Sequence, residues 1–330
     1  MKRLIISPKA LYCALVALCL LAFFFAVTSG SATQGFADIW QSLEGSSAST
    51  ARDVIFNLRV PRALTAFGTG AALALAGTFM QVLLRNPLAD PYILGTSGGA
   101  AAAALVCMAL GGFGLFLDAA AFVGALGSTL LVFALARSKG NWAPGRLLLT
   151  GVVVAAGWSA FVSLVLALAP DRNLRGMLFW LMGDFSYSLD PVPVLLLSAI
   201  AVVIGMGLAR PLNVLATGDQ QAALLGVNVR PLRIALYFIS ALLTAVAVTT
   251  AGTVGFVGLV IPHLIRLAGG SDHRVVIPCS ALAGGCLLVV SDTLARTVVA
   301  PRQLPVGAIT ALVGVPLFLY LLRRTRSTTD

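Results

Sequence analysis

The sequence predicts an all-α protein that crosses a lipid bilayer about ten times. Of its 330 residues, 59% are hydrophobic and only 10% are charged, and the mean hydropathy is +0.98. Its apolar runs are separated by short connectors rich in Gly, Pro and Arg. Because a soluble globule of this size needs more polar surface than this, whereas lipid tolerates an apolar exterior, residues 1–330 are expected to form one membrane domain.

A helix that crosses about 30 Å of hydrocarbon needs about 20 mainly apolar residues. The predicted spans are Ala10–Val27, Leu64–Leu84, Ile93–Leu110, Leu115–Ala136, Leu147–Ala169, Val192–Leu208, Ile234–Val254, Gly255–Leu267, Val275–Leu294 and Val306–Leu322. The first resembles a signal peptide but lacks a convincing small-residue cleavage site, so we expect it to be retained. The eighth is closer in length to a re-entrant segment, which leaves its full crossing open.

The distribution of basic residues predicts the orientation of the chain. With alternating spans and a cytoplasmic amino terminus, fifteen of the 22 Lys and Arg residues fall on the inner side. Inner loops carry the excess of positive charge in membrane proteins, so both termini are expected in the cytoplasm. Removing the eighth span would place the basic tail Arg323–Arg326 outside, and the charge rule therefore favours ten crossings.

The sequence lacks the motifs that several classes of function require. The basic residues sit at the ends of apolar runs, not along one helix face, which argues against nucleic acid as a partner. No GxxxxGK[ST] motif occurs, so any ATP-driven function needs an ATPase on another chain. His263 and His273 belong to no HExxH motif, and Glu44 is the single glutamate, so the chain is not expected to be an enzyme. The five cysteines have no metal-ligand spacing and are interpreted as small buried side chains; no metal or other cofactor is expected.

The connector Ala209–Arg233 contains the clearest local pattern. Pro211 is expected to stop the preceding helix, and Thr217–Asp219 offers an N-cap for a short helix over Gln220–Leu225. Gly226 then supplies the C-cap. A short capped helix within residues 210–230 is a suitable contact for a partner, although a surface loop without a partner would carry the same pattern.

Two further patterns concern the packing of the spans. Arg59–Arg62 opens the second span and the similar Arg230–Arg233 opens the seventh, an offset of five spans that would invert the second copy, as in many transporters. Small residues are dense within the spans, as in Gly95–Gly99 and Gly124–Gly127. They lack the lysine of a phosphate-binding loop and are better explained by close helix packing in lipid.

Several ordered motifs together resemble the FecCD-type permeases, the membrane subunits of importers for cobalamin, haem and ferric siderophores. The resemblance covers about residues 55–325. The motifs are Arg59–Arg62 (RVPR), Gly77–Gln81 (GTFMQ), Arg85–Pro91 (RNPLADP), Leu94–Gly95, Gly218–Asp219, Leu225–Val227 (LGV), Gly255–His263 (GFVGLVIPH) and Leu304–Gly307 (LPVG).

The resemblance implies a permease of the bacterial inner membrane that works as a homodimer, or sometimes as a paired heterodimer. Its implied partners are two cytoplasmic ATPase subunits, which bind ATP and Mg, and a periplasmic substrate-binding protein. The resemblance also assigns roles to residues that match the motifs. The binding protein would dock on Arg59, Arg62 and Arg296; Asn86 and Leu88 would form a cytoplasmic gate; and Gly218, Asp219, Gln220, Gln221, Leu225 and Gly226 would form the helix that couples to the ATPase.

The residues themselves give partial support to a docking role. Arg59 and Arg62 are expected at the amino end of a helix on the outer side, where positive charge opposes both the helix dipole and the positive-inside bias. An acidic partner would explain them, as would guanidinium groups that reach lipid headgroups. Asp292 stands one turn before Arg296 and could neutralise it, so a docking role for Arg296 is less secure.

The function expected from this pattern is ATP-driven import by alternating access through a pathway of small and apolar residues. Because no ring of charges is present to bind a bare ion, a bulky chelate is the expected cargo. An ion-gradient-driven secondary transporter is the alternative, and Asp292 is the one plausible intramembrane acid for it. A membrane scaffold without transport activity is a further alternative.

Overall fold

A computed structural model of the chain describes residues 6–29, 52–136, 144–186 and 190–326. Helices, short turns and bends make up these residues, and none of them is in a strand. The helices are α1 (Pro8–Thr28), α2 (Val60–Leu83), α3 (Thr96–Ala109), α4 (Leu115–Ala136), α5 (Pro144–Leu168), α6 (Asp171–Met182), α7 (Val192–Gly207), α8 (Ala209–Thr217), α9 (Asp219–Leu224), α10 (Val229–Ala251), α11 (Val257–Gly269), α12 (His273–Thr297) and α13 (Val306–Arg326).

The predicted all-α fold is confirmed, and each predicted span coincides with a helix. Within the described residues, six helices are long and apolar enough to cross a membrane, or seven if the bent pair α7 and α8 counts as one span. The apolar helices α3, α11 and the Val306–Tyr320 part of α13 are shorter. The predicted number of ten spans is therefore approximate.

The second span begins earlier than its apolar run. A π-helical segment, Val54–Arg59, leads directly into α2, and the two form one 30-residue helix, Val54–Leu83. The expectation that Arg59 and Arg62 lie at the amino end of a helix is therefore wrong, because both lie inside a continuous helix. The apolar run begins at Leu64, but helical hydrogen bonding extends through the more polar residues before it.

The expectation that Pro211 ends a helix is also wrong. The break lies at Leu208, where the chain bends by 65° between α7 and α8. Pro211 belongs to the first turn of α8, where the backbone N–H that proline lacks would have no partner within the helix. The connector predicted from Ala209 to Arg233 thus contains two short helices, α8 and α9.

The helix α2 lies at the centre of the bundle, packed against α7, α10, α11 and α12. Its close approach to two of these helices depends on glycine. A Cβ atom on Gly77 would lie 1.9 Å from the Gly258 carbonyl oxygen, and one on Gly70 would lie 2.1 Å from the Gly284 carbonyl oxygen. Since any side chain there would force the backbones apart, the interpretation of the glycines as helix-packing residues is confirmed at these positions, and also where Gly99 meets Gly124. It is wrong for Gly127, where an added Cβ atom would have no neighbour within 4 Å.

The predicted internal repeat is visible in the order of the helices. Each half has a long helix, a break and a shorter helix followed by two more helices: α2 to α5 in the first half and α10 to α13 in the second. Both short helices start after a left-handed residue, Gly95 (φ 71°) and Phe256 (φ 70°). The Tyr92 hydroxyl joins the two breaks, since its oxygen lies 3.0 Å from both the carbonyl oxygen and the amide nitrogen of Val254.

The outer helices of the bundle expose apolar surface. In their most apolar windows, only 22% of α1, 33% of α4 and 6% of α5 is buried inside the chain. Such faces are unfavourable in water and stable against lipid or another apolar protein surface. The fold therefore matches a membrane protein whose polar functional groups lie at the two ends of the bundle.

Candidate functional sites at the two ends of the bundle

The predicted site residues fall into two groups at opposite ends of the helices. At the first end, the Arg59 side chain donates to the Val27 carbonyl oxygen at the end of α1, at 2.8 Å. We call this the Arg62 end. At the other end, the Ile6 amide before α1 donates to the Ala268 carbonyl oxygen near the end of α11, at 3.0 Å. This end also carries α9 and is called the Asp219 end.

At the Arg62 end, one buried carboxylate holds two arginines. The Arg62 Nη2 atom lies 2.8 Å from Asp292 Oδ1, and its Nε atom lies 3.1 Å from the same oxygen. The Arg296 Nε atom lies 3.1 Å from Asp292 Oδ2. Only 1% of Asp292 is exposed. This carboxylate therefore links α2 to α12, the two long helices that pack together at the centre of the bundle.

Further polar groups complete this network. Asp184 Oδ1 lies 3.8 Å from Arg62 Nη2 and accepts a hydrogen bond from the Ser186 amide at 2.9 Å. The Ser186 hydroxyl oxygen lies 2.7 Å from Asp184 Oδ1 and 2.8 Å from Gln303 Oε1. With two carboxylates beside Arg62 and Arg296, the charges of these arginines are balanced within the chain.

Arg59 differs from the other two predicted docking arginines. It is buried, its guanidinium group donates to a neutral carbonyl, and it forms no ion pair within the described residues. Sequence reasoning paired Asp292 with Arg296 because the two are one turn apart. It missed the contact of Asp292 with Arg62, since 230 residues separate them and no local pattern reveals such a contact.

At the Asp219 end, the predicted short helix is present as α9, one residue earlier at each end than expected. Gly218 precedes it, and Gly226 follows it in a left-handed conformation with φ 80°. The Gly226 amide donates to the Ala223 carbonyl at 3.0 Å, and the Val227 amide donates to the Ala222 carbonyl at 2.9 Å. These two bonds form a Schellman motif, which explains the glycine.

One side of α9 is anchored and the other is free to contact a partner. Asp219 Oδ1 lies 2.7 Å from Arg233 Nη2 and so ties α9 to α10, while Ala222 is buried beneath the helix. Gln220 and Gln221 are exposed, and so are 88% of Leu224 and 70% of Leu225. Sequence reasoning missed Leu224, because a pattern of caps does not show which face of so short a helix is covered.

The predicted gate residues lie in the turn after α2. The Asn86 amide donates to the Gln81 carbonyl at 3.1 Å, and the Asn86 side chain accepts a hydrogen bond from the Leu88 amide at 2.9 Å. Leu88 is exposed. These bonds fix the turn and present an apolar side chain at the Asp219 end of the bundle.

The same turn carries Asp90, whose Oδ1 atom accepts a hydrogen bond from the Tyr92 amide at 2.8 Å. Burial of this carboxyl raises its pKa to about 6, although the bond from Tyr92 acts in the opposite direction. The Asp90 carboxyl is therefore protonated more easily than an aspartate in water.

Comparison with known proteins identifies the family to which this chain belongs. The FecCD transport family matches residues 18–324. The chain belongs to this family. Its relatives include the hemin transport system permease protein HmuU of Yersinia pestis, 39% identical over 97% of each chain. Another is the cobalamin import system permease protein BtuC of Halobacterium salinarum, 40% identical over 83% of this chain and 74% of the relative.

A solved structure supports the same assignment. It is described as an inward-facing conformation of a metal-chelate type ABC transporter, is 31% identical in sequence and superposes with a TM-score of 0.84 over 96% of this chain and 99% of its own. This FecCD protein is accordingly an ABC transporter permease subunit and not itself an enzyme. The family implies that an ATPase and a substrate-binding protein complete the transporter.

Proposed function

We propose that this FecCD permease imports a bulky metal chelate, namely haem, cobalamin or a ferric siderophore, by alternating access. The observation that carries the proposal is the nearly full-length similarity to a hemin permease. The network at the Arg62 end argues against the alternative of a gradient-driven transporter. Asp292, the one plausible intramembrane acid for such a transporter, is engaged in ion pairs with two guanidinium groups of the chain itself.

We propose that the Asp219 end faces the cytoplasm of a bacterium, with both termini on that side of the inner membrane. The positive-inside bias supports this orientation. The helix α9 would then meet the ATPase, with Leu224 and Leu225 as the apolar contacts and Gly218, Asp219, Gln220, Gln221 and Gly226 shaping the helix around them. Asn86 and Leu88, in the neighbouring turn, would form the cytoplasmic gate.

The periplasmic binding protein would dock over the Arg62 end. Of the predicted docking residues Arg59, Arg62 and Arg296, Arg59 is the strongest candidate, since its charge has no carboxylate partner within the described residues. Arg62 and Arg296 would shape the surface through Asp292 and so contribute indirectly.

We also propose that two copies of the chain form the pathway between them. The apolar faces of α1, α4 and α5 leave ample surface for a second copy and for lipid. No ATP or metal cofactor would bind to this chain; ATP and Mg would bind to the ATPase subunits.

Reconstitution would test the proposal. Proteoliposomes containing the permease, its ATPase and its binding protein should take up one of the three chelates only when ATP is supplied. The control is the permease alone under an imposed proton or sodium gradient, where we expect no uptake. Gradient-driven uptake without the ATPase would contradict the proposal, and competition among haem, cobalamin and ferric siderophores would identify the cargo.

A further inference from the structure

The Asp219 end contains a cavity of about 220 Å³. It lies between the turn after α2, the end of α8, the end of α11 and the start of α12. Its polar lining comprises Gln81, Arg85, Asn86, Arg266, Ser271 and His273. The cavity is large enough for a small polyatomic ion together with water, since one water molecule occupies about 30 Å³ in the liquid.

The charge of this cavity is positive and is not balanced by its lining. Arg85 and Arg266 form no ion pair within the described residues, and none of the lining residues found there is acidic. Arg266 donates to Oε1 of the neutral Gln81, whose Nε2 atom is held by the carbonyl oxygens of Gly258 and Leu259. Two guanidinium groups without a carboxylate favour an anionic ligand.

The nearby acids are occupied elsewhere. Asp219 pairs with Arg233, as described above. Asp272 accepts hydrogen bonds from Asn213 Nδ2 at 2.8 Å and from the Arg274 amide at 3.0 Å. These bonds, the one from Asn213 above all, hold the pKa of Asp272 below its usual range. Neither carboxylate lines the cavity, so neither neutralises Arg85 or Arg266 directly.

His273 lines the cavity and holds a buried hydrogen-bond acceptor directly behind its surface. Only 2% of the residue is exposed, and its Nδ1 atom lies 2.6 Å from Asn213 Oδ1. That oxygen also accepts from the His273 amide, while Asn213 Nδ2 donates to Asp272. Asn213 Oδ1 is thus an acceptor, and the neutral ring carries its hydrogen on Nδ1. The buried Nε2 atom is left as an acceptor with no partner within the described residues.

Arg85 extends from the cavity to the start of α9. Arg85 follows the end of α2 in a left-handed conformation, φ 47°, at a position where glycine is usual. Its Nη1 atom lies close to the start of α9, 3.4 Å from the point where Gly218 would carry a Cβ. The Arg85 side chain therefore lies between the turn after α2, which carries Asn86 and Leu88, and the start of α9. A ligand bound to Arg85 would lie beside both.

We propose that this cavity binds hydrogen phosphate. Arg85 and Arg266 would donate to the anionic oxygens, and the unpartnered Nε2 atom of His273 would accept from the hydroxyl of the ion. This acceptor distinguishes the ligand, because sulfate and the phosphodiester of a lipid headgroup carry no hydroxyl on their central atom. This part of the inference rests on the proposed function, in which phosphate is also a product of the ATPase partner. Phosphate bound in the cavity would hold Arg85 and the turn after α2 in place.

Phosphate binding can be measured on the full chain alone, in nanodiscs of neutral phosphatidylcholine. Titration calorimetry at neutral pH and low ionic strength should show saturable binding of inorganic phosphate, with sulfate weaker by about tenfold, the scale of one lost hydrogen bond to a charged group. Arg85→Gln should weaken phosphate binding by about tenfold as well. The matched control is Arg274→Gln, an exposed arginine at the same end that does not line the cavity, which should bind phosphate as the unchanged chain does.

The substitution of the exposed Arg85 is chosen because it breaks no contact found in the described residues, so failure to fold is not expected. His273→Gln, if it folds, should lose the preference for phosphate over sulfate. Absence of saturable phosphate binding, equal affinity for sulfate, or equal losses in Arg85→Gln and Arg274→Gln would each overturn the proposal. So would stabilisation by phosphatidylglycerol nanodiscs without binding of free phosphate, which would assign the cavity to a lipid headgroup. None of these measurements needs the ATPase, so their outcome is independent of the transport experiment.

Discussion

The two ends of the bundle differ in how their charged groups are paired. At the Arg62 end, Asp292 holds Arg62 and Arg296 and balances their charges, and the buried Arg59 donates to a backbone carbonyl. At the Asp219 end, Arg233 is paired with Asp219, but the two arginines of the cavity, Arg85 and Arg266, have no carboxylate within the described residues, and Leu224 and Leu225 at the end of α9 are exposed. One end is closed by its own contacts, while the other leaves charged and apolar groups available.

This difference has a structural consequence. The Asp292 network joins α2 to α12, and a buried ion pair of this kind is costly to break, because each charge would be left in a medium of low polarity. An end held in this way is suited to act as a fixed point. At the Asp219 end, where we propose that the ATPase and the gate lie, the arginines of the cavity are not held by internal ion pairs within the described residues.

The largest expected effect is on folding, from Asp292→Ala at the closed end. The change leaves Arg62 and Arg296 buried without their carboxylate, and the loss of one partner of a buried pair costs about 3–5 kcal/mol. We expect little folded protein in membranes and a strongly lowered thermal unfolding midpoint. Asp118→Ala is the control, since Asp118 is exposed and forms no ion pair within the described residues. If both variants were equally stable, the network would not be a fixed point.

The next largest effect is expected on transport, from Leu224→Ser combined with Leu225→Ser. Burial of one leucine against a partner stabilises by about 1.5–3 kcal/mol, so two losses should weaken ATPase binding by more than tenfold while the permease stays folded. ATPase affinity and ATP-driven uptake would be measured together. The control is Leu110→Ser with Leu115→Ser, two similarly exposed leucines just after α3 and at the first residue of α4. Normal coupling in the α9 variant would show that this surface has no partner.

A smaller effect is expected from Arg59→Gln, which removes the uncompensated charge at the Arg62 end but keeps a side-chain amide that can donate to the Val27 carbonyl oxygen. Association with the binding protein should slow by a few fold at low ionic strength, since charge steers the encounter. The difference should disappear near 1 M salt, where the Debye length is about 3 Å. Stopped-flow measurement of association would test this, with Arg274→Gln, at the opposite end, as the control. Equal rates for both variants would argue against docking through Arg59.

An effect that depends on pH is expected from two carboxyls, Asp90 and Asp272, neither of which lines the cavity with Arg85 and Arg266. Burial raises the pKa of Asp90 to about 6, above the unfolded value of about 3.9. Its contribution to the free energy of unfolding is therefore fully present below the unfolded pKa and is lost as the pH rises through about 6. The pKa of Asp272 is lowered, so its contribution is present above the unfolded pKa and is lost as the pH falls.

Thermal midpoints of Asp90→Asn and Asp272→Asn across this range would separate the two carboxyls. We expect Asp90→Asn to remove a decline in stability between about pH 4 and pH 6, the interval between the unfolded and the folded pKa of Asp90. In contrast, Asp272→Asn should remove a decline that appears only on acidification below about pH 4. Identical pH profiles for the two variants would contradict the assignment of opposite environments.

The sequence determined those features that depend on neighbouring residues. Hydropathy alone located the apolar segments, since each needs only its own composition to favour lipid. Gly226 located the end of α9 to within one residue, because the Schellman motif is closed by bonds within a few positions. The N-cap predicted at Thr217–Asp219 forms no side-chain bond to the helix, which starts after Gly218. The density of small residues indicated close helix packing, which α2 confirms at Gly70 and Gly77.

The tertiary structure alone decided which distant groups meet. The bond between Arg62 and Asp292 joins residues 230 positions apart, and the lining of the cavity comes from four separate parts of the chain. The same is true of Tyr92, whose hydroxyl meets Val254 across the two halves of the repeat. Helix propensity and hydropathy act over one or two turns, whereas the pairing of charged side chains depends on how whole helices pack. The carboxylate partner of Arg62, and the absence of a carboxylate beside Arg85 within the described residues, could therefore be found only in the folded chain.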